Sequence, residues 1–126
     1  MTKTILVVDD DDLVLLAVQE LLTPLGFSVT TSSNGADAIQ KATSKAFDLV
    51  ILDVIMPEMN GKELQQHVEE LSPGIKTLFI SGYTADVVAE RGILEKETFF
   101  MQKPFTPDAL LRMVHTILSD THSGVA

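Results

Sequence analysis

Cysteine is absent from the chain, which removes disulfides, thiolate metal sites and cysteine nucleophiles from consideration. That absence fits a reducing compartment. Positive charge is scarce: 9 Lys and Arg stand against 18 Asp and Glu, for a formal net charge of −9. A field of that sign does not bind nucleic acid by neutralising phosphates. It attracts cations and basic protein surfaces instead. No apolar run is long enough to span a bilayer, and the opening Met1-Thr2-Lys3-Thr4 lacks the layout of a secretory signal. Long-period repeats and low-complexity segments are missing too. So is any phosphate-binding glycine loop, since neither G-x-G-x-x-G nor G-x-x-x-x-G-K-[ST] occurs. These absences lead us to expect a cytoplasmic protein with no nucleic-acid and no membrane partner.

What is present fits one ordinary domain. The 126 residues leave no room for a second, and an apolar fraction of 45% is that of a soluble globular chain. Five short apolar runs recur: Ile5-Leu6-Val7-Val8, Phe27-Ser28-Val29-Thr30, Leu49-Val50-Ile51-Leu52, Thr77-Leu78-Phe79-Ile80 and Thr98-Phe99-Phe100-Met101. The first and third are continuous, as strands buried on both faces are. Helical stripes lie between them. Val14, Ala17, Val18, Leu21 and Leu22 form one, ended by Pro24 and Gly26. Ala38, Ile39 and Ala42 follow a capping segment, Ser33-Asn34-Gly35. Leu64, Val68 and Leu71 form a third stripe, closed by Pro73-Gly74. Val87, Val88 and Leu94 mark a weaker fourth, interrupted by Gly92. Leu110, Met113, Val114 and Ile117 form the fifth, with Thr106 as cap and Pro107 in the first helical position. Five strands alternating with five helices predict a parallel sheet covered on both faces. The tail from Ser119 to Ala126 is small and polar, and we expect it to be disordered.

In such a sheet, ligands bind beyond the carboxyl ends of the strands. Asp9, Asp10, Asp11 and Asp12 follow the first strand, Asp53 the third, Ser81 the fourth and Lys103 the fifth. The second ends in Thr31-Ser32, with nothing chargeable. If the first and third strands are neighbours, Asp9, Asp10 and Asp53 crowd together and must take up a proton or a cation. Hard oxygen ligands favour Mg²⁺ over zinc. Carboxylate, cation, hydroxyl and lysine together suit phosphoryl transfer.

The segments Val7-Val8-Asp9-Asp10-Asp11, Leu52 to Gly61, Ile80-Ser81-Gly82 and Lys103-Pro104-Phe105 resemble the four signatures of response-regulator receiver domains. The resemblance covers the chain from about Lys3 to about Leu118, in matching order and spacing. It implies a flavodoxin-like fold of strand order 2-1-3-4-5, with residues 1–118 as the receiver and 119–126 as the tail. It implies that Asp53 accepts a phosphoryl group from the phosphohistidine of a sensor histidine kinase or His-phosphotransfer domain. Asp9, Asp10, Asp53 and the Ile55 backbone carbonyl would hold Mg²⁺. Lys103 would pair with phosphoryl oxygens, and Ser81 would donate a hydrogen bond to them. Ser81 and Phe100 would form the switch that alters the surface of the fourth helix, fifth strand and fifth helix for a downstream protein reader. The Lys103–Pro104 bond would be cis. Ile55 and Tyr83 stand where the family tunes phosphoryl lifetime, and an apolar Ile55 implies a long one. Ile80-Ser81-Gly82-Tyr83-Thr84 resembles receivers of hybrid kinases, so the chain fits a free-standing regulator or a receiver within a longer protein.

Blander readings stand beside these. Acidic runs are usually solvated faces or caps, and Asp11 and Asp12 are read as opening the first helix. His67, His115 and His122 follow no strand and are read as surface or tail residues, so a phosphohistidine carrier is rejected. Gly35 and Gly61 are read as turn or helix-start glycines. The runner-up function, an Asp-nucleophile phosphatase, would carry a second Asp two places after the nucleophile, where Ile55 stands. A pseudo-receiver that only binds would not need the full set of Asp, Ser and Lys. A flavin carrier would need a hydroxyl-rich loop after the first strand.

Overall fold

A computed structural model of the chain describes residues 2–56, 59–90 and 99–119. Five strands form the centre: β1 (Thr4–Val8), β2 (Ser28–Ser32), β3 (Leu49–Asp53), β4 (Lys76–Ser81) and β5 (Phe99–Gln102). Five helices connect and follow them: α1 (Asp12–Leu22), α2 (Gly35–Ser44), α3 (Gly61–Leu71), α4 (Ala85–Glu90) and α5 (Pro107–Ser119). The strands are parallel and run in the order β2-β1-β3-β4-β5. This is the expected flavodoxin-like arrangement. The reversal of winding between β1 and β3 makes their carboxyl ends the place where a crevice opens.

The central strands β1 and β3 are legible because both of their faces are buried. Ile5 and Val7 pack with α1 and α5 through Leu15, Val18, Leu22, Leu110, Val114 and Ile117. Leu6 and Val8 face the other way, toward Ala38, Ala42, Leu64, Val68 and Val88 of α2, α3 and α4. One sheet thus separates two apolar layers, and β3, at its middle, is buried along its whole length.

Helix boundaries follow local hydrogen bonding. Asp11, Asn34 and Asn60 cap α1, α2 and α3, each accepting an amide of the first turn. Thr106 Oγ1 accepts the Ala109 amide at 3.1 Å, as its place before Pro107 suggested. A 3₁₀ turn, Thr23–Leu25, extends α1 to Gly26, whose φ of +97° is the left-handed turn that glycine tolerates. Two stripe positions differ from expectation. Ala17 is exposed and Leu15 buried instead, because α1 turns a slightly different face to the sheet. Leu71 is 40% exposed as the last residue of α3. Thr98, Gly92, Leu94, His122 and the tail beyond Ser119 lie outside the described residues, and Ser119 itself closes α5.

Candidate functional site

Five chain segments meet at the carboxyl edge of the sheet. Registers between strands decide which groups converge: Val8 pairs with Leu52, so the residues that follow β1 lie beside Asp53 at the end of β3. Asp9, Asp10 and Asp53 each place a carboxylate oxygen within 4.8 Å of the others. Asp9 is wholly buried, Asp53 is 6% exposed, and Asp10 faces solvent. Lys103 arrives from the end of β5, its amide donating to Ser81 O at 2.7 Å, and the Lys103–Pro104 peptide is cis. Its ammonium lies 2.7 Å from Asp9 Oδ2 and 3.4 Å from Asp53 Oδ2.

Backbone amides hold the carboxylates in place. The Asp11 amide donates to Asp9 Oδ1 at 2.9 Å, and the Ile55 amide to Asp53 Oδ1 at 3.2 Å. The Asp9 amide donates to Ser32 O at 3.1 Å, which ties the deepest carboxylate to the end of β2. Asp9 Oδ2 is different. It touches Lys103 as a charge contact but at an angle that misses a hydrogen bond, so this buried oxygen keeps an unsatisfied lone pair.

The electrostatics follow from crowding. Burial pushes the Asp9 carboxyl up, with the charge of Asp10 adding to it, against the pull of Lys103 and the Asp11 amide. Burial also pushes Asp53 up, reinforced by Asp9 and opposed by Lys103 and the Ile55 amide. For Lys103, burial acts downward, but its close contact with Asp9 and the charges of both aspartates outweigh that and hold it above its ordinary value. Asp9 and Asp53 thus share one ammonium, and with Asp10 close to both the pocket keeps an excess of negative charge. An unsatisfied buried oxygen, two further carboxylates and no sulfur or imidazole make a donor set that fits a hard divalent cation such as Mg²⁺.

The remaining expected residues are placed as follows. Ser81 is buried at the end of β4, and its Oγ accepts the Tyr83 amide at 3.0 Å. Ile55 sits on the loop after β3, partly buried against the layer that contains Phe79 and Val88. Phe100 is half-buried against the same layer, beside Phe79 in the β4–β5 register. Ser32, dismissed on sequence for lacking charge, contributes through its carbonyl. Its buried hydroxyl bonds Asp37 Oδ2 at 2.7 Å, fixing β2 to the first turn of α2. His67 and His115 are exposed and stand apart from the pocket.

Comparison with known proteins bears on the family and the fold. The family model described as the response regulator receiver domain matches residues 5–115. The chain is 30% identical over 116 residues to the response regulator receiver protein CpdR of Brucella abortus, covering 92% of this chain and 97% of that one. It is 32% identical over 119 residues to the sensor kinase CckA of the same organism, covering 93% of this chain but only 13% of the kinase. A CheY-like receiver domain from Methanospirillum hungatei superposes with a TM-score of 0.82 at 26% identity, over 98% of this chain and 99% of that one. The chain therefore belongs to the response regulator receiver domain family of two-component signalling.

Proposed function

We propose that this receiver takes a phosphoryl group onto Asp53 from the phosphohistidine of a sensor histidine kinase or a His-phosphotransfer domain. The observation that supports it best is the meeting of Asp9, Asp10 and Asp53 with the Lys103 ammonium at one strand edge. An Asp53 carboxylate oxygen attacks phosphorus, the phosphorus–nitrogen bond to the donor histidine breaks, and an acyl phosphate results. Asp9, Asp10, Asp53 and the Ile55 carbonyl are the groups that would hold Mg²⁺, which when bound offsets the negative charge of pocket and phosphoryl group. Lys103 stands within reach of Asp53 Oδ2, so its ammonium can follow the charge onto the phosphoryl oxygens.

Readout is proposed to follow from Ser81 and Phe100. The Ser81 hydroxyl accepts the Tyr83 amide in this state, and its O–H is free to turn toward a phosphoryl oxygen on Asp53. Movement of Ser81 opens space that the half-buried Phe100 can fill, changing the face formed by α4, β5 and α5 for a protein reader. Ile55 carries no side-chain group to orient a hydrolytic water, which supports a long-lived acyl phosphate. The same residue removes the second carboxylate that an aspartate-nucleophile phosphatase would place there. The setting proposed is cytoplasmic, and among the described residues no helix is long and apolar enough to cross a membrane.

Incubation with MgCl₂ and acetyl phosphate, followed by mass spectrometry, tests the assignment. One added phosphoryl group on the native chain and none on Asp53→Asn is expected. Sustained turnover of a phosphomonoester, or undiminished labelling of Asp53→Asn, would overturn it.

A further inference from the structure

The backbone beside Asp53 carries a constraint invisible in side-chain chemistry. α3 opens at Gly61, and a Cβ built there would lie 2.8 Å from each of three atoms: Asp53 O, Val54 Cα and Leu52 Cδ1. Two of these are backbone atoms and cannot swing aside as the end of a flexible side chain can. The Gly61 amide donates to Val54 O at 2.6 Å. Ile55 and Asn60 pair in an isolated antiparallel bridge. Val54 and Ile55, just after β3, are therefore joined to Asn60 and Gly61 at the start of α3. Asn60 is tied to α3, because Asn60 Oδ1 accepts the Glu63 amide at 2.9 Å and Asn60 Nδ2 donates to Glu63 Oε1 at 3.0 Å. α3 is held in turn by Leu64 and Val68, both fully buried.

We propose that Gly61 is a positioning residue for the phosphoryl-transfer site: its bare Cα lets α3 seat directly on the end of β3, and that seating sets where the Asp53 carboxylate and the Ile55 carbonyl stand. The inference rests on the reading of Asp53 as phosphoacceptor and of Ile55 as a cation ligand. Any side chain at position 61 must lift α3 from the strand or displace the backbone at Asp53 and Val54. Either movement changes the spacing of the groups that share the cation. Loss of outer support typically weakens metal binding about 10- to 100-fold, and a misplacement of about 1 Å at a reacting group slows chemistry on the order of a hundredfold.

The test compares the full chain with Gly61→Ala. Calorimetric titration with MgCl₂ reads cation affinity, and acetyl phosphate labelling at varied donor concentration separates the maximal rate from half-saturation. Circular dichroism reads the fold. Mg²⁺ affinity in Gly61→Ala should fall about tenfold, and the maximal labelling rate should fall more than half-saturation rises. A folded Gly61→Ala that is less stable but keeps native Mg²⁺ affinity and labelling rate overturns the proposal and leaves a packing glycine only. A second measurement needs no variant. In the amide spectrum of the native chain, the Gly61 resonance should move on adding MgCl₂. Those of Gly26 and Gly74, which precede strands at the opposite edge of the sheet, should stay. A stationary Gly61 amide overturns the proposal even where Gly61→Ala fails to fold. Failure of the native chain to take up Mg²⁺ or phosphoryl would instead sink the reading of Asp53 itself.

Discussion

Asp9 and Asp53 are held above their ordinary carboxyl range, so folding without a cation has to crowd charge that the unfolded chain keeps apart. The sign follows directly. A carboxyl whose folded pKa is raised adds stability while protonated and loses it as pH rises from the unfolded value through the folded one. Metal-free Asp53→Asn should therefore be more stable than the native chain at neutral pH, by on the order of 1 kcal/mol. The gap should close as pH approaches the unperturbed value of 3.8. Urea unfolding in chelator across that range checks it, and a gap that widens on acidification would refute it. Lys103→Met is expected to act in the opposite direction. It strips buried Asp9 of its counter-charge and should cost about 1–3 kcal/mol, together with most of the acetyl phosphate labelling; thermal melts and mass spectrometry measure the two losses. At this scale the sequence was readable where the pocket is built from charged side chains. Asp9, Asp10, Asp53 and Lys103 announce themselves by following apolar runs. Ser32 and Gly61 do not, because one acts through a carbonyl that every residue has and the other through an atom it lacks.

Elements carry the positions of these groups, and their own stability is a matter of burial. Leu64 is wholly buried where α3 meets the sheet. Leu64→Ala should cost about 2–5 kcal/mol, read as a lower urea midpoint, and should loosen the loop that bears Ile55. α1 presents the contrary case. Leu13 and Leu16 are 76% and 50% exposed just after the acidic turn. If the proposed phosphodonor docks on this exposed apolar face of α1, Leu13→Asp should slow transfer from a partner kinase while acetyl phosphate labelling is unchanged. Equal slowing with both donors would place the fault in the pocket instead. Strand identities were legible from short apolar runs, and so were three of the caps, since Asp11, Asn34 and Thr106 have the side chains that caps require. Small errors of helix face were not avoidable: on α1, Val14, Leu15, Ala17 and Val18 are all apolar, and only packing against β1 and α5 selects among them.

At the scale of the molecule, the formal charge of −9 and the acidic pocket act together. A cation that binds only the folded state stabilises it by mass action. Mg²⁺ at a hundredfold its dissociation constant should raise the unfolding free energy by about 2.7 kcal/mol, measured as a shift of the urea midpoint. The shift should shrink sharply in a double Asp10→Asn, Asp53→Asn variant. An equal shift in both proteins would locate the ion elsewhere on the acidic surface. The strand order itself was legible only through the resemblance. Alternation of elements limits the possible windings but does not choose among them, because register between distant strands leaves no local trace.

The pocket takes its groups from the ends of β1, β3, β4 and β5, so positions 9, 53, 81 and 103 are neighbours only after the whole sheet has assembled. No fragment that lacks one of these four strands brings the four groups together. Uptake of phosphorus from a small donor is therefore also an assay of integrity: a molecule that becomes labelled has closed every crossover between its first strand and its last.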